Sequence, residues 1–340
     1  MTLRVSKDRL LELIQGFTGR RIVVAGDYVL DRFVYGHPKR VSREAPVLIL
    51  RFFKEESLPG GAGNTAANIR CLGGTPLPVG ALGDDAEGRE LVEILRARGI
   101  ETLGLTVVPS YPTPTKTRIL GGGPHSIKQQ IVRYDREDPL PGKGGWTSAI
   151  ERSLAAAASG AAGAVLCDYG YGAVTPAAVE PLRRALSPGA PVLVDSRHKT
   201  TAYAGVDAAT PNEEELEEAA GGPIGDSNEK LAAAGAAMQK ALGCRSLLVT
   251  RGSRGMALFD GGGPPTLIPV HGTDQVADVT GAGDTVLAAF ALALCAGASP
   301  LEAALTANFA GGVVVMKMGT AVVTKEELSD AVTSDRALLS

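Results

Sequence analysis

Short apolar runs alternate with longer helical stretches, and this alternation restricts the fold more than any other feature of the chain. Runs at 21–25 (RIVVA), 77–81 (LPVGA), 163–167 (GAVLC), 191–194 (PVLV), 206–209 (VDAA) and 246–249 (SLLV) read as buried strands. Between several of them, 86–98, 174–186 and 227–242 read as helices. That order predicts an α/β fold with a mostly parallel central sheet covered by helices on both faces. Polar residues follow the runs: Gly26-Asp27, Asp168, Asp195, Pro211-Asn212 and Thr250-Arg251-Gly252. Open parallel sheets hold ligands outside the carboxyl ends of their strands, so a site is expected along that edge.

Two segments break the alternation. Residues 33–53 and 115–134 look extended, the second as a hairpin around Gly121-Gly122-Gly123-Pro124. We expect one domain over 1–340, with these excursions (about 33–56 and 107–135) inserted as a small β lid. The alanine-rich run 154–164 reads as a helix end entering a strand.

Charge excludes some partners. Thirty-four basic against 37 acidic residues leave a net charge of −3, which gives no footprint for nucleic acid or an anionic membrane. Any phosphate must be held locally. Cys71, Cys167, Cys244 and Cys295 are scattered, without CxxC, which argues for buried reduced thiols rather than zinc or disulfides. The first 17 residues are too charged for a signal peptide and place Leu10, Leu11, Ile14 and Phe17 as one helix face. No apolar run reaches the roughly 20 residues that span a bilayer, so a cytoplasmic location is expected.

Two glycine-rich motifs carry the chemistry. In DVTGAGD (278–284), small residues precede an apolar helix. Backbone N–H groups at such a helix start, aided by its dipole, suit a phosphoryl group, and Asp284 at its mouth suits a general base. An aspartate there also suits a plain helix cap. In PGGAGN (59–64), Gly60, Gly61 and Gly63 allow close backbone approach and Asn64 offers a donor and an acceptor for hydroxyls. A tightly packed helix start reads equally well at that point. A dinucleotide fold would need GxGxxG after the first strand, where GDYVLD stands instead.

Together and in this order, GGAGN and DVTGAGD resemble the paired signatures of the ribokinase-like (PfkB) carbohydrate kinases, over nearly the whole chain. The resemblance implies ATP and Mg²⁺ as cofactors, a β lid over the sugar, Asp284 as base, and Gly281, Ala282 and Gly283 as anion hole. It further implies that Asp27, Gly60, Gly61 and Asn64 bind sugar hydroxyls, and that Asn212 and Glu215 (an NxxE) hold hydrated Mg²⁺. Thr250, Gly252 and Gly255 match the nucleotide loop and Asn308 the adenine region. Asp278 and Thr280 match a monovalent-cation site, for K⁺. Glu213 and Glu214 fall outside the NxxE register and are expected as solvated carboxylates.

A narrower resemblance, to D-glycero-D-manno-heptose 7-phosphate kinases, rests on GDYVLDRFVYG (26–36), RVSREAPV (40–47), TKTRIL (115–120), QQIVRYDRED (129–138), DYGYGAV (168–174) and KMGT (317–320). Asp31, Arg40, Glu44, Arg133 and Asp135 carry much of it. Asp31 and Asp168 are added to the expected sugar contacts, and Lys116, Arg118, Arg133, Arg197 and Lys199 are candidates for a distal phosphate. Tyr171 stands where that subgroup has lysine, and DSRHK (195–199) where it has a DP-type turn. The chain has no HxGH, so adenylyl transfer is expected from a separate nucleotidyltransferase. A homodimer through the lid is expected by resemblance. The alternatives are a kinase of the same fold acting on fructose phosphate, ribose or a nucleoside, and a non-catalytic binding protein that has lost the base or the glycines.

Overall fold

A computed structural model describes residues 5–123, 128–142, 144–272, 278–317 and 319–336. In chain order its strands are β1 (Arg21–Val41), β2 (Leu48–Gly61), β3 (Thr75–Gly83), β4 (Leu105–Val108), β5 (Thr115–Gly121), β6 (Gln129–Arg136), β7 (Gly163–Asp168), β8 (Val192–Ser196), β9 (Ala208–Ala209), β10 (Ser246–Thr250), β11 (Met256–Phe259) and β12 (Thr266–Ile268). Its helices are α1 (Lys7–Gln15), α2 (Ala62–Cys71), α3 (Ala86–Ala97), α4 (Gly145–Ala158), α5 (Val179–Ala185), α6 (Glu213–Ala220), α7 (Asn228–Leu242), α8 (Ala282–Cys295), α9 (Pro300–Val314) and α10 (Lys325–Ser334).

All six expected apolar runs lie in one sheet, in the order β12-β11-β10-β9-β8-β7-β1-β3-β4. Pairing is parallel from β10 to β4, and the β11 and β12 edge is antiparallel. Successive residues of β1 enter opposite cores, Ile22 and Val24 on one face, Val23 and Ala25 on the other. This is the period-two alternation of a sheet covered twice. Helices α1, α2, α8 and α9 fill the first face and α4, α5 and α7 the second. Helix α8 is apolar all round (VLAAFALA), and residues 284–293 are all buried. A helix of that kind belongs inside a core, and it lies against α2 and α9.

The lid grows out of β1. The sequence suggests a strand ending near Ala25, but β1 runs on for 21 residues. Asp27 therefore lies within the strand. Past the core, β1 pairs antiparallel with β2 and parallel with β5, and β5 pairs with β6. The expected hairpin is thus β5–β6; Pro124 of its turn lies outside the described residues. β4 belongs to the main sheet, so the second lid excursion begins at Thr115 rather than near 107. All four cysteines are free, Cys167 and Cys244 buried and the other two partly so. No helix among the described residues is long and apolar enough to cross a membrane.

Candidate active site

A cavity of about 320 Å³ lies where the lid meets the strand ends. From the lid come Asp31, Lys116, Arg118 and Arg133; from the carboxyl ends of the core strands and the segments that follow them come Asp168, Tyr169, Asp195, Arg197, Asn212, Glu215 and Thr250; from the start of α8 and the turn before it come Thr280, Gly281, Gly283 and Asp284. Residues far apart in sequence meet here through strand register. Asp31 stands opposite Lys116, Lys116 opposite Asp135, and Arg118 opposite Arg133. With side chains alternating along a strand, these residues share one lid face. Arg118 ion-pairs with Asp31 at 2.6 Å, and Arg133 with Asp135 at 2.5 Å. Lys116 and Arg197 have no ion-pair partner among the described residues. Burial, together with the positive charges of Arg197 and Arg133, lowers the Lys116 pKa. Of the five candidate cations, Lys199 alone is off the cavity wall.

Asp284 is buried at the start of α8, and both its oxygens are engaged. Oδ2 accepts from Asn64 Nδ2 at 2.8 Å, and Oδ1 from Tyr169 OH at 2.6 Å and Thr65 Oγ1 at 3.2 Å. Burial pushes its pKa up to about 6 against these hydrogen bonds. Such a carboxylate is mostly ionised at neutral pH yet basic enough to take a hydroxyl proton. The turn before it needs glycine: Gly281 has φ +77°, and a Cβ there would stand 2.5 Å from Asn64 Nδ2. Gly283 opens onto the cavity. Ala282 does not, since its N–H donates to Val279 O at 3.2 Å.

Several expected sugar ligands do other work. Asp27 is buried away from the cavity wall, accepting backbone N–H groups from Tyr169 (2.8 Å), Tyr171 (3.0 Å) and Ala173 (2.9 Å). It fixes the loop after β7, and burial raises its pKa to about 6. Asn64 also stands off the wall: its amide donates to Asp284 and Gly281, and its carbonyl accepts from Asn68 at 3.2 Å. Gly60 is behind the wall too, where a Cβ would stand 2.4 Å from Asp31 Oδ2. Its lack of a side chain makes room for Asp31. Gly61 lines the cavity as expected. Asp168 reaches the wall held by Ser196 Oγ (2.9 Å) and Tyr203 OH (2.8 Å).

On the nucleotide side, Asn212 and Glu215 form a capping box at α6: Glu215 N donates to Asn212 Oδ1 (2.8 Å), and Asn212 N to Glu215 Oε2 (2.9 Å). Both still line the cavity. Removal from water, then the nearby carboxylates of Glu215 and Asp284, drive the Asp195 pKa well up. Glu215 is also shifted up, chiefly by burial. Glu213, expected in solvent, is instead buried, with Arg254 at 2.6 Å and Arg251 at 3.4 Å. It ties α6 to the loop after β10. At the end of β10 Thr250 lines the cavity, whereas Gly252 and Gly255 in the loop that follows (φ +56° and +75°) only shape the turn. Asn308 is buried in α9 and donates to Pro269 O at 3.0 Å, so it braces a loop rather than facing the cavity. Asp278 accepts from the N–H groups of Thr280 (2.9 Å) and Gly319 (3.0 Å), and Thr280 alone of that pair reaches the wall. Among the described residues no cluster of three or more His, Cys, Asp or Glu is placed to hold a metal directly.

Thr65, Tyr169 and Thr320 belong to the site although no motif selected them for it, and Asp195 was expected there only as one of the polar residues at strand ends. Thr320 Oγ1 contacts Asp31 Oδ2 at 3.4 Å. Tyr169 stands in DYGYG and Thr320 in KMGT, segments already singled out by resemblance; Thr65 carried no separate signal.

Known proteins with this architecture include ribokinase from Arabidopsis thaliana, complexed with ribose and ATP (TM-score 0.71, 24% identity, 94% of this chain and 100% of that one). Phosphofructokinase-2 from Escherichia coli, in complex with substrates and products, is similar too (TM-score 0.73, 19% identity, 92% and 98%). At these identities they establish the fold. In sequence, the chain is 40% identical over 329 residues to the bifunctional protein HldE of Mesorhizobium japonicum, covering 96% of this chain and 64% of that protein. The HldE of Caulobacter vibrioides is 40% identical over 331 residues, covering 96% and 66%. The chain thus spans about two thirds of the length of these relatives. The profile of the pfkB family carbohydrate kinases matches residues 20–327, so this chain belongs to that family and is a phosphotransferase.

Proposed function

We propose that the protein transfers the γ-phosphoryl group of ATP to the anomeric hydroxyl of D-glycero-D-manno-heptose 7-phosphate, giving the 1,7-bisphosphate that ADP-heptose synthesis consumes. The observation that carries this reading is one cavity that joins a buried aspartate at a helix start to Lys116 and Arg197, two cations with no ion pair to a carboxylate among the described residues. The aspartate suits proton abstraction, and the cations suit a phosphate at the far end of the sugar. The likeness to HldE proteins supports a heptose over a shorter sugar.

In this mechanism Asp284 accepts the hydroxyl proton as the sugar oxygen forms its bond to the γ-phosphorus and the bond to the β–γ bridging oxygen breaks, releasing ADP. Backbone groups at Gly283 and the α8 dipole stabilise the equatorial oxygens. Asp31 and Asp168 bind sugar hydroxyls beside Gly61. Asn212, Thr250 and Thr280 face the ATP phosphates. Asp195, whose proton affinity burial and the Glu215 carboxylate raise, and Glu215, raised chiefly by burial, fit a hydrated Mg²⁺ that would offset their negative charge. The metal's chemistry there is charge neutralisation of the phosphates. K⁺ is assigned beside Asp278, and replacing potassium by sodium in the assay below checks this. Val41, Phe52, Phe53, Ile131 and Tyr134 are exposed on the lid, an apolar surface suited to a second copy of the chain. Adenylyl transfer to the product is assigned to a separate nucleotidyltransferase activity.

The test is ADP release with MgATP and, in turn, heptose 7-phosphate, fructose 6-phosphate, ribose and adenosine. Heptose 7-phosphate should be preferred, and phosphorus NMR should place the new phosphate on the anomeric carbon. Preference for any of the other three removes the heptose assignment.

A further inference from the structure

Three side chains hold the Asp284 carboxylate, and they differ in origin. Asn64 and Thr65 belong to α2, which packs tightly against α8, and neither lines the cavity. Tyr169 comes from the loop after β7 and does line it. Its hydroxyl gives the shortest of the three contacts, 2.6 Å to Oδ1, a distance typical of a charge-assisted O–H···O⁻ bond. The same residue's backbone N–H is fixed at 2.8 Å by Asp27, which also holds Tyr171 and Ala173. Lys116 Nζ lies over the Tyr169 ring, 5.7 Å from its centroid. The phenol is thus anchored from behind, faced by a substrate-side cation, and aimed at the base.

We infer that Tyr169 is the positioning residue of the catalytic base: it locks the rotation of the Asp284 carboxylate on the substrate side and sets its basicity. A hydroxyl donated to the ionised form favours that form, so the bond lowers the proton affinity of Asp284 while fixing its lone pairs. Burial keeps the phenol protonated, and it acts only as a donor. The other groups facing Asp284 are the Asn64 amide and the Thr65 hydroxyl from α2, the Cys167 thiol from β7, Asp195 from β8 and Asp31 from β1. Tyr169 is the only donor to Asp284 among them that also lines the cavity. The inference rests on Asp284 being the base.

Tyr169→Phe and replacement of Tyr169 by meta-fluorotyrosine, both in the full chain, test it with MgATP and the phosphorylated sugar. In the phenylalanine variant kcat should fall about tenfold, with both KM values within about threefold, because orientation is lost while the binding groups stay. Its acid limb should move to higher pH. The fluorinated phenol is a stronger donor, so its limb should move to lower pH with kcat within about twofold of wild type. Titration of the substrate's own phosphate is common to all three proteins and drops out of the comparison. If the phenylalanine variant does not fold, the fluorotyrosine arm decides alone, since it keeps size and hydroxyl. An unmoved limb in the fluorotyrosine protein overturns the inference. Asp284→Asn run in parallel separates the two readings: if it keeps near-wild-type kcat, the base assignment itself fails.

Discussion

At the floor of the cavity, Asp284, Asn64, Thr65 and Asn68 are almost wholly buried, and both oxygens of the Asp284 carboxylate already have donors. On the lid, Val41, Phe52, Ile131, Val132 and Tyr134 stand in solvent, and the cationic side chains converge on a single face. The floor is a rigid device in which a charged group is held at the cost of desolvation. The lid is a thin sheet with charge gathered on one face and apolar side chains exposed, which the proposed function assigns to substrate choice and to contact with a second copy. Transfer chemistry tolerates little movement, which is why the proposed function assigns it to the densely packed floor. Substrate choice is a matter of which groups face the sugar, and a β ribbon can vary those without disturbing the core.

The largest effect should come from the floor. Asp284→Asn should lower kcat by about 10²–10⁴-fold while ATP binding, followed by calorimetry, is retained. The same variant sharpens the desolvation argument through pH. The folded-state pKa of Asp284 lies at about 6, above its ordinary 3.8. Between those values the folded protein binds more protons than the unfolded chain, so stability from this group is present at acid pH and lost as pH rises through about 6. Wild type should therefore gain about 2 kcal/mol relative to Asp284→Asn on going from neutral pH to about pH 4, read by chemical denaturation at each pH. A constant difference between the two proteins would mean that the carboxylate is not desolvated.

A smaller effect, confined to one substrate class, is expected from the lid. Lys116→Met should reduce kcat/KM for a phosphorylated sugar by about 10–100-fold, the worth of one charge-assisted contact. A neutral sugar should change by less than about threefold. Equal losses on both would place Lys116 in the chemistry of the floor and erase the contrast. The smallest change should follow Phe52→Ser. Light scattering should show a dimer giving way to monomer, with the monomer's unfolding free energy altered by less than about 0.5 kcal/mol. An unchanged mass would show that the exposed lid face is not the contact between copies.

The sheet was legible because parallel strands buried on both faces leave unbroken apolar runs, as GAVLC and SLLV do. The turn before Asp284 was legible because Gly281 is required there by a left-handed backbone and by the Asn64 side chain, 2.5 Å from where a Cβ would stand. Gly61 followed from its small size in a close-packed turn and Thr250 from its place at a strand end, whereas Glu215 was reached only through the family resemblance. For Asp27 and Asn64 one thing was not legible: sequence identifies a polar residue near a site but not the partner its hydrogen bonds will find. In the folded chain Asp27 closes a loop more than 140 residues away, and Asn64 reaches an aspartate 220 residues away.

By itself, then, the sequence determined the α/β architecture, the extended excursions and the glycine turn before α8, since each depends on local periodicity or backbone sterics. Tertiary structure alone decided which polar groups face the substrate and which brace them. It turned Gly60 into space for Asp31, buried Glu213 between two arginines, and set Tyr169 against the base. The physical reason is that a buried polar group must find a partner, and the sheet register and helix packing settle which partners lie within reach.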